Sequence, residues 1–257
     1  MNVLILNGSP KKRGGASRFI SSFVRVLLCG CNVSTESLHK KNSFSEILKK
    51  LPSVDAVVLS VPLYVDGIPS HVLGFLEQAE AFCKENKCRF TLYVISNNGF
   101  IEGRQNRTHL DMYRCWCDHA GIKWGGGVGI GGGVMLHVIS IAYPVTLAFY
   151  LMIILLNLIS AKPVSADAWI SLLENALIYV FLSIGFFYCM VQLARAVRKQ
   201  ETAPNRYTRV LVPSFLFIPM ANIFMTLASL FHGRIVFTLL KKDHAASSQE
   251  NTEMMRT

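Results

Sequence analysis

The stretch that decides the fold is VLILNGSPKKRGGAS, residues 3–17. Its first part, Val3–Leu6, is a continuous apolar run, which predicts a short strand buried on both faces. The loop that follows leads into Ser17–Leu28, where the apolar residues share one helical face. A strand, a tight loop and a helix in this order direct backbone N–H groups and the positive end of the helix dipole towards a bound phosphate.

The side chains of this loop suit a phosphate. Ser9 and Ser17 offer hydroxyl donors, Lys11 adds positive charge, and Gly15 allows close approach of the backbone. The loop lacks the closing Gly-Lys-Ser/Thr of a P-loop and the Gly-x-Gly-x-x-Gly of a dinucleotide fingerprint. Because Gly and Ser occur in many strand–helix turns, the loop alone does not establish a phosphate site, and its basic residues could form only a solvated patch.

Strand and helix patterns continue to alternate after this first unit. Further strands are predicted at 33–38, 55–61, 89–96 and 123–130, and further helices at 44–51, 70–85 and 106–120. Ser70 is expected to cap the helix that it begins, and Gly121 to end the last one. Strands separated by helix-length segments predict a doubly wound, parallel α/β sheet with five strands.

Two more loops follow strands of this predicted sheet. The loop at 60–69 presents the apolar and aromatic residues Pro62, Leu63, Tyr64 and Val65, which suit an aromatic ligand, and stacking is the favoured role of Tyr64. The loop at 96–103 presents Asn97, Asn98 and Gly99, whose amides could hydrogen-bond a heteroaromatic rim. Because ligands bind at the carboxyl ends of parallel strands, the three loops are expected to meet.

With these three loops in this order, residues 1 to about 133 resemble the flavodoxin-like, NAD(P)H-dependent FMN reductase family. The resemblance implies strand order 2-1-3-4-5, noncovalently bound FMN, and NADH or NADPH as the electron donor. It leaves the chemistry to FMN, which agrees with the absence of an evident acid–base pair or nucleophile in the sequence. The residues it assigns to FMN are Ser9, Lys11, Gly15 and Ser17 around the phosphate, Pro62, Leu63, Tyr64 and Val65 along the isoalloxazine, and Asn97, Asn98 and Gly99 at its polar edge.

The chain departs from this family in several places. The family loop commonly has Asn at the position of Gly15 and Thr or Ser at that of Ala16, so either Ser17 replaces the missing hydroxyl or the affinity is lower. The close cysteine pairs are Cys29/Cys31, Cys115/Cys117 and Cys83/Cys88. None of them supplies four ligands at the spacing that an iron–sulfur cluster requires, so we expect no iron–sulfur or other metal site. The glycine-rich run 125–133 suits either a ligand contact or a flexible joint.

The second half of the chain has a different composition. No Lys, Arg, Asp or Glu occurs in 124–161, 175–194 or 210–231, whereas a soluble domain needs charged surface. This predicts a hydrophobic α-helical membrane region with spans at about 135–160 and 169–194. The predicted organisation is an FMN-binding domain at 1–133, a transmembrane hairpin at 134–200, and a cytosolic or interfacial apolar helix with a basic polar tail at 201–257. A third span at 210–231 is the alternative.

The charge pattern indicates which side of the membrane the first domain occupies. The net charge is +10, and basic residues such as Arg195, Arg198 and Lys199 adjoin apolar stretches. This placement favours the inner face of a membrane, and no nucleic-acid-binding motif accompanies it. The N-terminus lacks the features of a signal peptide. We therefore expect a protein of the cytoplasmic membrane, in contact with lipid, with its flavin domain on the cytosolic side.

The function predicted from these features is that of a membrane-attached FMN-dependent oxidoreductase. It would pass reducing equivalents from NADH or NADPH to a quinone, a flavin or another small acceptor. The first alternative is a non-catalytic, flavin-binding electron carrier or sensor coupled to a membrane module. A weaker one is a transporter with a regulatory N-domain, because the two or three spans hold no acid–base network beyond Glu174, which lies near the start of the second span. The oligomeric state is left open, with a homodimer as one option.

Overall fold

A six-stranded parallel sheet forms the centre of the protein, whose computed structural model describes residues 1–11, 15–39, 43–64, 67–160 and 166–231. The strands are β1 (Asn2–Asn7), β2 (Asn32–Ser37), β3 (Ala56–Pro62), β4 (Thr91–Asn97), β5 (Lys123–Gly131) and β6 (Arg206–Arg209). Their order in the sheet is β2-β1-β3-β4-β5-β6. The first five strands thus have the predicted flavodoxin-like order and the α/β fold is confirmed, although the predicted number of strands was one too few.

Seven α-helices lie in the described part of the chain. Ser70 is the first residue of its helix and makes no side-chain cap, contrary to the prediction, whereas Gly121 ends the next helix in the expected left-handed conformation, at φ 69°. The helices are α1 (Ala16–Leu27), α2 (Phe44–Leu48), α3 (Ser70–Asn86), α4 (Arg107–Ala120), α5 (Gly133–Ile159), α6 (Ala166–Lys199) and α7 (Ser214–Phe231).

The two faces of the sheet are covered by different helices. On one face, Leu4 and Leu6 of β1 belong to a core that includes Phe75 of α3 and Leu110 of α4. On the other face lies α1, whose Ile20 is wholly buried. Since side chains alternate along a strand, a strand covered on both faces must be apolar throughout, which explains the unbroken run that opens the chain.

The second half of α6 packs beside α1. The rings of Phe23 and Phe186 have centroids 5.2 Å apart, and Met190 and Val197 of α6 are wholly buried. Further along, Nη2 of Arg198 donates to the carbonyl oxygens of Leu27, at 2.6 Å, and Cys29, at 3.0 Å. Arg198, interpreted from the sequence as a charge next to the membrane, therefore lies at the C-terminal end of α1, where it satisfies carbonyls that the helix leaves free.

A buried tyrosine joins the end of α6 to the sheet. The hydroxyl of Tyr93 on β4 lies 3.0 Å from the carbonyl oxygen of Ala196 and 2.9 Å from that of Glu201. Burial, with a smaller contribution from the charge of Glu201, raises the pKa of Tyr93 to about 12. The neutral hydroxyl is thus the stable form, and it donates to backbone that follows the apolar stretch.

The chain then adds β6, which was not predicted, in parallel to β5, with Tyr207 opposite Gly129. The glycines of β5 permit this close approach. A Cβ on Gly126, where φ is +114°, would lie 2.3 Å from the carbonyl oxygen of Ala203, and one on Gly129 would lie 2.8 Å from that of Gly103. Backbone packing therefore accounts for these glycines, for which the sequence suggested a ligand contact or a flexible joint.

Two of the described helices, α5 and α6, are long and apolar enough to cross a membrane by length and composition. They have 27 and 34 residues, and their most apolar windows have mean hydropathies of 2.2 and 2.0. Only 6% of the α5 window is buried, compared with 28% for α6. The difference arises because α6 continues along the sheet, where its buried residues begin at Ser183.

Residues 1–211 form one compact unit, and the described residues 212–231 belong to another. The first contains the sheet, α5 and α6 together, so the hairpin is closely tied to the sheet by contacts. The predicted boundaries of the membrane-spanning segments stay predictions. In the second unit, α7 is an apolar helix of 18 residues with Pro219 inside it. Its placement, interfacial or spanning, also stays a prediction.

Candidate functional site at the carboxyl ends of the strands

Three loops meet at the carboxyl edge of the sheet, as the sequence predicts for a parallel sheet. The amide of Gly8, after β1, donates to the carbonyl oxygen of Ser60 in β3 at 2.8 Å. The amide of Leu63, after β3, donates to the carbonyl oxygen of Asn97 at the end of β4, also at 2.8 Å. The side chain of Asn97 in turn reaches Ser17 at the start of α1. The described candidate residues of all three loops therefore lie together at this edge of the sheet.

Two serine hydroxyls of the first loop accept hydrogen bonds from neighbouring groups. The Oγ of Ser9 accepts from the amide of Lys11 at 3.3 Å, and the Oγ of Ser17 accepts from Nδ2 of Asn97 at 2.9 Å. Both hydroxyls act as acceptors, and the described residues provide no acceptor for either proton. Gly15, the N-cap residue of α1, has a φ of +94°, a conformation that favours glycine. The loop thus combines hydroxyl donors, a helix N-terminus and an exposed ammonium group, as an anion site requires.

The second loop presents one exposed ring. Pro62 and Leu63 are buried, whereas Tyr64 is 46% exposed. Partial burial raises the pKa of Tyr64, so its ring keeps a neutral hydroxyl. Val65 lies outside the described residues. The loop therefore offers Tyr64 as a surface against which a planar ligand could lie, and stacking stays a prediction.

In the third loop, Asn97 holds neighbouring elements together, whereas Asn98 has an unpartnered atom and Gly99 borders open space. Nδ2 of Asn97 donates to Ser17 and to the carbonyl oxygen of Val61, both at 2.9 Å, so this buried side chain joins α1 to β3. In Asn98 the Oδ1 atom is buried without a partner in the described part of the chain. A Cβ on Gly99 would meet nothing within 4 Å. Asn98 and Gly99 are thus the two residues of this loop that face unused space or lack a partner.

A buried polar network lies behind the third loop. Ser96, Asn106, His109 and Tyr113 are linked by side-chain hydrogen bonds, and Nδ2 of Asn106 also donates to the carbonyl oxygen of Gly103 at 2.9 Å. Burial lowers the pKa of His109 to about 4 and raises that of Tyr113. The network fixes the end of β4 against α4. Its histidine is satisfied by partners, which gives it a structural role.

Two other histidines lie close to the first loop. A ring nitrogen of His71, Nε2, is 2.9 Å from the carbonyl oxygen of Gly8, and Nε2 of His137 is 3.4 Å from the amide nitrogen of Gly15. Sequence reasoning gave His137 no role, because it falls within a charge-free stretch interpreted as membrane. The signal that could have found it is its position on α5, six residues after β5 ends at the carboxyl edge.

Three basic side chains lie among the described residues near the loops. Lys11 is exposed, and Arg18 lies in the first turn of α1. Arg209, at the end of β6, pairs with Glu102 at 2.5 Å. A positive edge favours a phosphorylated ligand or an anionic lipid surface.

Comparison with known proteins gives no family. No protein-family model and no curated protein matches the chain. Solved structures of low identity are similar to it: the Trp repressor binding protein from Bacillus subtilis (14% identity over 51% of this chain and 84% of that one, TM-score 0.42) and an NADPH-quinone reductase from P. pentosaceus (13%, 51% and 86%, TM-score 0.44). A flavodoxin from Streptococcus pneumonia TIGR4 is similar over 78% of this chain and 99% of its own, at 12% identity and TM-score 0.43. With TM-scores below 0.5, these similarities indicate no function, and the assignment of a flavodoxin-like fold rests on the strand order.

Proposed function

We propose that this protein is a membrane-attached, FMN-dependent oxidoreductase that carries electrons from NADH or NADPH to a small acceptor. The observation that carries the proposal is the meeting of three loops at one edge of a flavodoxin-like sheet. One loop has the donors of an anion site, and the other two have an exposed ring and an unpartnered amide oxygen. A ligand with a phosphate at one end and a flat heteroaromatic group at the other fits this arrangement of the three loops.

The residues present fit FMN. The hydroxyl protons of Ser9 and Ser17 and the ammonium group of Lys11 would hold the phosphate. Tyr64 would cover one face of the ring system, and Oδ1 of Asn98, buried without a described partner, would accept from an N–H on its rim. When bound, FMN supplies the hydride and electron transfer itself, and the chain binds it, orients it and controls access.

Lipid attachment narrows the choice of acceptor. The helix α5 begins two residues after β5 ends, so the site lies at the edge of the sheet from which the apolar hairpin starts. At about 1.5 Å per residue, α5 is about 40 Å long, and the hydrocarbon core of a bilayer is about 30 Å thick. The outward-facing apolar side chains of α5 and the first half of α6 favour lipid over water. An acceptor that partitions into the membrane, such as a quinone, is therefore favoured over a water-soluble one.

The proposal is tested by absorbance spectra of the full chain, purified in detergent and kept anaerobic. We expect a flavin spectrum that bleaches when NADH or NADPH is added and returns when a quinone follows. Gly15→Val, which adds a branched side chain at a positive φ in the phosphate loop, should lose the flavin. Gly30→Val, at a matched φ of +89° in the turn before β2 and at the opposite edge of the sheet, should retain it, because a Cβ there meets nothing within 4 Å.

Two outcomes would contradict the proposal. A colourless wild-type protein that also fails to bind added FMN would remove the flavin site. Bound FMN that neither NADH nor NADPH reduces would instead support the electron carrier or sensor, which shares the site but lacks the nicotinamide reaction.

A further inference from the structure

One polar residue of the apolar hairpin contacts the phosphate loop. His137 lies on the second turn of α5, and its Nε2 atom is 3.4 Å from the amide nitrogen of Gly15. The other ring nitrogen, Nδ1, is buried without a partner among the described residues. Phe19 of α1 and Leu136, the residue before His137, line an apolar pocket at the junction of α1 and α5. The half-buried imidazole makes no hydrogen bond to the described residues other than the one with Gly15.

The Gly15 amide is the donor that a phosphate would use. Gly15 is the N-cap residue of α1, and its N–H is one of the groups that a helix leaves unpaired at its start. As the loop stands, Nε2 accepts from this N–H, and the ring proton must then be on Nδ1, where it has no partner. The contact therefore satisfies one donor and leaves another buried without an acceptor, which costs free energy.

A bound anion would give both donors an acceptor. In the other tautomer the ring proton is on Nε2, and once the ring turns so that this N–H no longer points at the Gly15 N–H, both donors can share one oxygen of the anion. Nδ1 is then an acceptor that needs no proton partner of its own. Lys11, whose Cδ would lie 3.8 Å from a Cβ on Gly15, brings a positive charge to the same place. We infer that His137 is a ligand of the phosphate of the bound flavin nucleotide, contributed by the membrane hairpin. This inference rests on the proposed FMN site and deepens it.

If so, recognition of the phosphate is shared between the sheet and the hairpin. A flavin with the phosphate would contact both, and a flavin without it would contact only the loops of the sheet. Riboflavin has the same ring system as FMN and lacks the phosphate. The difference between their affinities therefore isolates the contribution of His137.

The test is the dissociation constant of each flavin, measured by fluorescence quenching on the full chain in detergent. For His137→Ala we expect the constant for FMN to rise about tenfold or more, as befits a hydrogen bond to a charged group. The constant for riboflavin should stay within about twofold. His137→Gln, which restores an N–H donor, should recover part of the FMN affinity. The matched control is His119→Gln on α4, an exposed histidine, which should leave both constants unchanged.

Three results overturn the inference, and they are distinguishable. Unchanged FMN affinity in His137→Ala removes the phosphate role and leaves the flavin site intact. Equal loss of FMN and riboflavin affinity, with or without a lower melting temperature, shows that His137 only maintains the fold of the site. A wild-type protein that binds neither flavin removes the proposed function itself.

Discussion

The Nδ1 atom of His109 lies 2.7 Å from the Oγ atom of Ser96, behind the loop that follows β4. The direction of this hydrogen bond follows from the neighbours. Ser96 donates its proton to Oδ1 of Asn106 at 2.6 Å, so it accepts from Nδ1–H, and Nε2 accepts from the hydroxyl of Tyr113 at 3.2 Å. Both nitrogens are used by a neutral ring, and a proton added to Nε2 would break the hydrogen bond that the Tyr113 hydroxyl donates to it.

Acid should therefore weaken the fold through His109. Its pKa is about 4 in the folded protein, below the ordinary value of 6.5, so between these values the unfolded chain binds more protons and stability falls as the pH falls. The loss across this window is roughly 3 kcal/mol. In His109→Gln the melting temperature should depend less on pH, although it is lower at neutral pH. His119→Gln, on an exposed part of the same helix, should keep the wild-type slope, and an unchanged slope in His109→Gln would contradict the assignment.

The two halves of α6 should respond differently to truncation of a phenylalanine. Phe186 is buried beside Phe19 and Phe23, so Phe186→Ala should cost about 3–5 kcal/mol and lower the melting temperature clearly. Phe181, which is 63% exposed one and a half turns earlier, should tolerate the same change in detergent with little effect. Equal effects of the two substitutions would show that both residues share one environment, in conflict with the packing of α6 on α1.

Glycines at two positions should give opposite results when changed to alanine. Gly126→Ala places a Cβ 2.3 Å from the carbonyl oxygen of Ala203 at φ +114°, so it should destabilise the β5–β6 edge by several kcal/mol or prevent folding. Gly74→Ala, inside α3 with open space around it, should stabilise the protein by about 1 kcal/mol. Thermal unfolding of both variants is the measurement. A neutral Gly126→Ala would contradict the close approach of the two segments.

Lys11 should contribute to FMN binding through its charge. We expect Lys11→Gln to weaken FMN binding by roughly tenfold at low salt and less at high salt, because the ammonium group is exposed and screened. Riboflavin binding should not change. Lys84→Gln, on α3, removes an equal charge elsewhere and should change neither affinity. A loss that is the same for both flavins, or independent of salt, would argue against a phosphate contact.

The sequence was sufficient to predict the first five strands and the meeting of the three loops. An apolar run such as Val3–Leu6 indicates a buried strand by itself, and the geometry of parallel sheets then brings the loops to one edge. The contacts of individual side chains could not be predicted from the sequence. Asn97 supports α1 and β3 from inside the site because its amide finds two acceptors there, which spacing along the chain cannot reveal.

Two features of the second half were missed for physical reasons. An apolar helix looks the same in sequence whether lipid or protein covers it, so nothing distinguished Phe181 from Phe186. The short strand Arg206–Arg209 is polar at three of its four positions and shows no apolar alternation, since its pairing depends on the glycine edge of β5 rather than on its own pattern. His137 was overlooked because a charge-free stretch was treated as uniform.

The position of β6 after the hairpin has a consequence for how the protein is synthesised. A ribosome delivers the first five strands, then α5 and α6, and only then the strand that pairs with β5. Under the proposed topology, the hairpin must enter the bilayer and turn back before the sheet can be completed. A nascent chain whose hairpin fails to return keeps the glycine-lined edge of β5 unpaired. Under this topology, completion of the six-stranded sheet therefore requires that the hairpin has first been inserted.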